Sequence, residues 1–378
     1  MSTGPASPPR PMASQRMENV DFLIGKFSCE NNVHIKNIST WKFCDSYFVD
    51  VLSEICWPKE KHEMNYNYPW EMGLPKKILR KLRVPETHDC IIITNTSQAI
   101  TLLAHLASCL KADQIVVNPS YWSVEENIKA FGGTPISFHA QSGTIDEVMG
   151  ASETKVIWLT RPMFATGSEI PKHIKIGLKS ISNEGTYFFF DEALMNPFQT
   201  ALHGDFDKDN SFFVLSPHKH LNVNGAKFSI LIFPKRFEKY VVEYSDSLLG
   251  SLPSSTITAA NHFLSENYDH VVRLFSRWVN RANFEIESLL SLYGDVEIAP
   301  WVSGIYRSIY FPKLDYRYFD EQHHFFDLMA ATKCAIIPGN YNKSCPTLGL
   351  SFRVNLSQHS AEYLHAINKV IKHINSIQ

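Results

Sequence analysis

The 378-residue sequence has no apolar run of the roughly 18–20 residues that a membrane-spanning helix needs. Its longest candidates, such as Tyr187-Phe188-Phe189-Phe190, are strand-sized and flanked by polar residues. It has no excess of base either. Lys and Arg number 36 against 38 Asp and Glu, a formal net charge of −2, so no basic excess points to nucleic acid or an anionic membrane as the main partner. The seven cysteines (Cys29, Cys44, Cys56, Cys90, Cys109, Cys334, Cys345) are odd in number, scattered and without a Cys-x-x-Cys pair. That pattern argues against a disulfide framework and a structural zinc site, and for a reduced, cytoplasmic compartment. No acidic residue precedes Glu18, and the Ser-, Pro- and Arg-rich start reads as a floppy tail over residues 1–20. Its prolines leave no visible amphipathic helix for an organelle transit peptide, which makes that the lesser reading. No internal repeat is apparent.

What is present is ordinary globular material: 44% hydrophobic and 20% charged residues, in a length that suggests about two domains. An N-terminal segment, 21–65, precedes a region of alternating strands and helices. Seven apolar runs stand out: 90–94, 114–117, 134–138, 155–159, 186–190, 212–215 and 228–233. Near-continuous hydrophobicity is the signature of strands buried on both faces. The spacing between runs suits crossover helices, the first from Gln98 to Leu110. The expected fold is α/β, a mostly parallel seven-stranded sheet with helices on both faces, over 66–250. Linking helices follow over 251–295. They include one long pattern from Asn267 to Leu292 with apolar positions at Val271, Leu274, Phe275, Trp278, Val279, Phe284 and Leu289. Alternating strands at 304–310 and 351–356 and an amphipathic helix from Ala361 to Ile377 make a small α+β C-terminal domain, 296–378.

Open α/β sheets bind ligands beyond the carboxyl ends of their strands. After the first run stands Thr96-Ser97-Gln98, a polar turn opening a helix, which offers N–H groups and hydroxyls to a phosphate but alone reads as an N-cap. After the second stands Tyr121, an aromatic able to stack on a flat ligand or simply to pack. Asp191-Glu192 closes a strand of aromatics, where a carboxylate is costly unless it caps or meets a cation. After the sixth comes Ser216-Pro217-His218-Lys219, then Lys227. A lysine desolvated at a strand end has a lowered pKa and serves as a Schiff-base nucleophile. Phosphate turn, aromatic, carboxylate and lysine, in that order, are the parts a pyridoxal 5′-phosphate site needs.

These motifs, spread in order from about Tyr66 to Leu356, resemble those of the fold-type I pyridoxal-phosphate enzymes of the class I/II aminotransferase family. The resemblance implies a cofactor site in which Lys219 forms the aldimine and Asp191 pairs with the pyridine nitrogen. Tyr121 stacks on the ring, and Thr96, Ser97, Gln98, Ser216 and Lys227 surround the phosphate. Tyr68, in Tyr68-Pro69-Trp70-Glu71-Met72-Gly73-Leu74-Pro75, looks like the tyrosine that reaches the neighbouring subunit's phosphate, which implies a homodimer with shared sites. Arg353, in Phe352-Arg353-Val354-Asn355-Leu356, resembles the arginine that grips the substrate α-carboxylate, a task its bidentate fork suits. No metal is implied.

The departures matter for the reaction. Phe164-Ala165-Thr166-Gly167 stands where the family has Asn-Pro-Thr-Gly. Leu194 replaces its usual tyrosine, so both customary hydrogen-bond donors to the cofactor's phenolic oxygen are lost. His218 stands where a phosphate-binding serine is common. The leading expectation is an aminotransferase acting on a free α-amino acid. The alternatives are a lyase or cyclase of the guanidino amino acid cyclase type, and a catalytically silent relative kept for interaction. The retained Lys219, Asp191 and Arg353 oppose the last.

Overall fold

The computed structural model describes residues 20–40, 68, 73–143, 153–181, 185–204, 209–221 and 227–377. The expected tail lies outside them up to Val20, as do most of the segment 21–65 and Gly225, which precedes Lys227. In chain order the elements are α1 (Val20–Asn31), β1 (Lys36–Asn37), α2 (Leu74–Leu82), β2 (His88–Ile93), α3 (Thr96–Cys109), β3 (Asp113–Asn118), α4 (Ser123–Ala130) and β4 (Pro135–His139). Then come β5 (Lys155–Thr160), α5 (Lys172–Ser180), β6 (Thr186–Glu192), β7 (Ser211–Leu215), β8 (Ser229–Pro234), α6 (Glu238–Leu249), α7 (Ser254–Leu264) and α8 (Glu266–Leu290). The last are β9 (Glu297–Ile298), β10 (Tyr306–Phe311), α9 (Gln322–Thr332), β11 (Cys334–Ala335), β12 (Ile337–Pro338), β13 (Leu350–Asn355) and α10 (Ala361–Asn375). Among the described residues, no helix is long and apolar enough to cross a membrane.

The seven expected runs form one sheet, in the order β2-β8-β7-β6-β5-β3-β4. Its neighbours are parallel except around β8, which runs antiparallel to both β7 and β2. Successive residues of a strand point to opposite faces, and the two sets enter two separate cores. Ile92, Ile115, Ile157, Phe188, Phe190 and Phe213 pack with α2, α5, α7 and α8. Ile91, Val116, Trp158, Phe189, Phe212 and Leu231 pack with α3, α4 and α6. Covering both faces is what made the strands read as continuous apolar runs. The run at 134–138 is the exception. It becomes the edge strand β4, with Ile136 exposed and only Phe138 deeply buried, because no strand flanks its outer side.

The long helical pattern ends at Leu290, two residues short of the expected Leu292. Its buried stripe runs Val271, Val272, Phe275, Val279, Ala282, Ile286, Leu290. Phe284 falls five residues after Val279, off the three-and-four spacing of that stripe, and is 68% exposed. The small sheet is β12-β13-β10-β9. Its two long strands were expected to alternate, yet every residue of β10 and β13 is buried. The chain's early segment also joins this part of the molecule: β1 pairs in parallel with β11, Lys36 opposite Cys334.

Candidate active site

The carboxyl ends of β2, β3, β5, β6 and β7 open on one edge, and the antiparallel β8 brings its start, Ser229, to the same edge opposite Ile93. At the end of β2, the N-cap of α3 is Asn95, not the Thr96-Ser97-Gln98 turn. Asn95 accepts the Gln98 N–H at 3.1 Å, and the Gln98 side chain returns to accept the Thr94 N–H at 2.9 Å. This reciprocal cap leaves Thr96 and Ser97 in the first helical turn, where N–H groups lack intrahelical acceptors and the helix dipole favours an anion. The Ser216 hydroxyl lies 2.7 Å from those of both Thr96 and Ser229, a buried chain that ties α3 to the ends of β7 and β8.

Asp191 closes β6. It is buried, and its carboxylate accepts the Ala193 N–H at 3.1 Å. Burial pushes its pKa up, and the charge of Lys219 pulls it back. Lys219 is half-buried on the short 3₁₀ turn Pro217–Leu221. Burial lowers its pKa to about 8, Asp191 opposing and Lys227 assisting. At that pH half the amine is neutral, where an ordinary lysine is neutral about once in 300.

The turn that carries Lys219 is pinned from three sides. His218 Nδ1 sits 2.6 Å from the Phe228 carbonyl, His220 Nε2 sits 2.7 Å from the Met195 carbonyl, and the Tyr268 hydroxyl donates to Pro217 O at 3.1 Å. Burial holds both histidines neutral, His218 down to about 3 and His220 to about 4. His218, which stands in the place of a common serine, is thus a buried clamp between the lysine turn and Phe228. Lys227 itself is exposed, yet close enough to depress the pKa of Lys219.

Tyr121, half-buried beyond β3, packs its ring 5.5 Å from that of Phe164 and hydrogen-bonds Ser97. Burial raises the pKa of its phenol; the Ser97 hydrogen bond lowers it, the Asp191 charge raises it and the Arg353 charge lowers it. Arg353 lies at the centre of the small sheet, 3% exposed. Its Nε donates to Ser39 O at 3.1 Å and its Nη1 to Asn342 Oδ1 at 3.2 Å. Its Cζ lies 4.5 Å from the Tyr306 ring centre and 5.5 Å from that of Phe164. Both of these acceptors are neutral oxygens, and they orient the guanidinium. The loop through Phe164 is fixed in turn: its N–H donates to Pro119 O, and Gly167 takes a left-handed φ of 72°. A Cβ at Gly167 would come within 2.3 Å of the Trp301 ring. Leu194 is buried. Tyr68 is half-buried and stands alone among residues 41–72 in being described.

The structure therefore gathers Thr96, Ser97, Gln98, Tyr121, Asp191, Ser216, Lys219 and Lys227 at one sheet edge, with Arg353 facing it from the small sheet. Asn95, Ser229, Ser39, Asn342, His220 and Tyr306 are additions from the structure. Asn95 alone had a readable signal, a capping residue followed by glutamine three positions later.

Behind Asp191 stands an ion triad. Arg161 holds Glu169 bidentately at 3.0 and 2.9 Å and reaches the fully buried Glu192 at 2.5 Å. Glu192 also accepts the Ala201 N–H at 2.7 Å, and burial raises its pKa to about 7. Removing one partner of a buried pair costs about 3–5 kcal/mol. Arg161→Met is accordingly expected to lower the urea midpoint of unfolding, and adding Glu192→Gln to recover part of the loss. An unchanged midpoint in the single variant would show that the triad carries little stability.

No family model and no curated protein matches the sequence. Solved structures do match its fold. A double mutant of Thermus thermophilus aspartate aminotransferase superposes with a TM-score of 0.74 at 17% identity, covering 95% of this chain and 97% of that one. An Escherichia coli protein with a methionine aminotransferase function gives 0.73 at 15%, covering 97% and 100%. A multiple substrate aminotransferase from Thermococcus profundus gives 0.74 at 13%, covering 96% and 95%. The chain has the aminotransferase fold.

Proposed function

We propose that the chain is a pyridoxal-phosphate-dependent enzyme acting on a free α-amino acid, an aminotransferase in the first instance. The carrying observation is Lys219: an amine of lowered pKa, clamped on its turn beside Asp191 at the carboxyl edge of the sheet. The donor set around it fits the cofactor. Thr96 and Ser97 present the first turn of α3, with Gln98, Ser216 and Lys227 beside it, to a phosphate. The Asp191 carboxylate suits a pyridine nitrogen, and Tyr121 suits the ring face. Bound there, the cofactor supplies an electron sink for the pair released when a bond at the substrate Cα breaks. Lys219 Nζ would hold the cofactor covalently, and the same amine, once free, would be the group placed to move the substrate Cα proton. Arg353 holds the substrate carboxylate and so fixes which Cα bond is presented. Tyr68 completes the neighbouring subunit's site in a homodimer, within a large domain over 66–250 and a small one over 296–378.

A second reading rests on Phe164 and Leu194. With apolar side chains at both positions, the two customary donors to the cofactor's phenolic oxygen are missing, which favours loss of a side-chain group and ring closure over amino transfer. The test is a panel of amino acids given to the loaded protein with and without a 2-oxo acid. A new amino acid formed only with the oxo acid is the expected result. Product formed without it selects the lyase or cyclase reading, and no spectral response to any amino acid overturns both. A hydrogen bond to a charged group is worth about 1.5–3 kcal/mol. Phe164→Asn with Leu194→Tyr should therefore shift the partition toward amino transfer by about tenfold or more.

A further inference from the structure

The small sheet sends one more side chain to this site. Tyr306 opens β10 and is 1% exposed. The guanidinium of Arg353 lies over its ring, and Phe164 meets that ring edge-on at 6.3 Å. Residues two apart on a strand share a face, and Ser308, on the same face, donates its hydroxyl to Ala165 O at 3.0 Å. That face therefore looks onto the Phe164–Gly167 loop. The approach to the strand is tight. Gly304, at a left-handed φ of 86°, lies where a Cβ would come within 2.9 Å of Pro162 and 3.5 Å of Leu194 O. The phenol ring thus packs against Arg353 and Phe164, two residues along the chain from Gly304, whose surroundings include Pro162 and Leu194.

We propose that Tyr306 is a specificity-determining residue. Its hydroxyl, next to Arg353, donates a second hydrogen bond to the substrate α-carboxylate and selects α-amino acids over amines that lack the carboxylate. The proposal rests on the reading of Arg353 above. Arg353 supplies charge; the phenol adds a neutral donor that Phe164 cannot. Burial raises the phenol's pKa well above its ordinary value, so the donor keeps its proton across the working range.

The test compares wild type with Tyr306→Phe, which keeps the ring and its packing, both loaded with cofactor. The visible spectrum is titrated with an α-amino acid that wild type binds and with the amine obtained by decarboxylating it. The dissociation constant of the amino acid should rise about tenfold, while that of the amine stays within about twofold. Equal changes for the two ligands, or none, would overturn the proposal, equal ones pointing to packing. So would a shift in the ligand-free spectral pH titration with amino acid binding unchanged, which would give the hydroxyl to the cofactor. A wild type with no cofactor band sinks the functional reading itself, and that result is separable from any effect of the substitution.

Discussion

Lys219→Ala is expected to lower turnover by roughly 10⁴-fold or more and to remove the visible band of lysine-bound cofactor. Proton transfer by a positioned side chain is alone worth about 10²–10⁴-fold, and the substitution also removes the nucleophile. The turn itself should survive. His218, His220 and Tyr268 anchor it through backbone carbonyls that alanine does not touch. A melting temperature close to wild type, with the band gone, is the outcome that separates lost chemistry from lost structure. Turnover within tenfold of wild type would remove Lys219 from the reaction.

Arg353→Gln should have the next largest effect. The guanidinium is nearly inaccessible to solvent, and a carboxylate bound against it would be desolvated with it. Truncating one partner of such a pair costs about 2–5 kcal/mol, which is roughly thirtyfold to several thousandfold in kcat/KM. The loss should fall mainly on KM, since the contact exists before the chemistry begins. Arg353 also bonds Ser39 and Asn342, so unfolding by urea is measured beside kinetics. A midpoint that drops while KM holds would make Arg353 a structural residue.

Much of this architecture could be read from residue order, and the limits have physical causes. The seven sheet runs were legible because six are covered on both faces; the seventh, β4, has the composition of a core strand but an edge position that only pairing order reveals. Phe284 looked like core by hydrophobicity, and the helical period places it outward. Asp191, Ser216 and Lys219 were visible because each follows shortly after an apolar run. The surroundings of Arg353 were not. Its partner Ser39 is 314 residues away in sequence, and no local pattern encodes that meeting. Tyr306 was hidden similarly, as one aromatic among several in an apolar strand.

The most direct test of the central claim is borohydride reduction of the cofactor-loaded protein followed by peptide mapping. Reduction fixes the cofactor to whichever lysine holds it. The structure predicts label on the peptide that contains Lys219 and on no other. Label on Lys227 or any other lysine, or a loaded protein that takes no label, would contradict it.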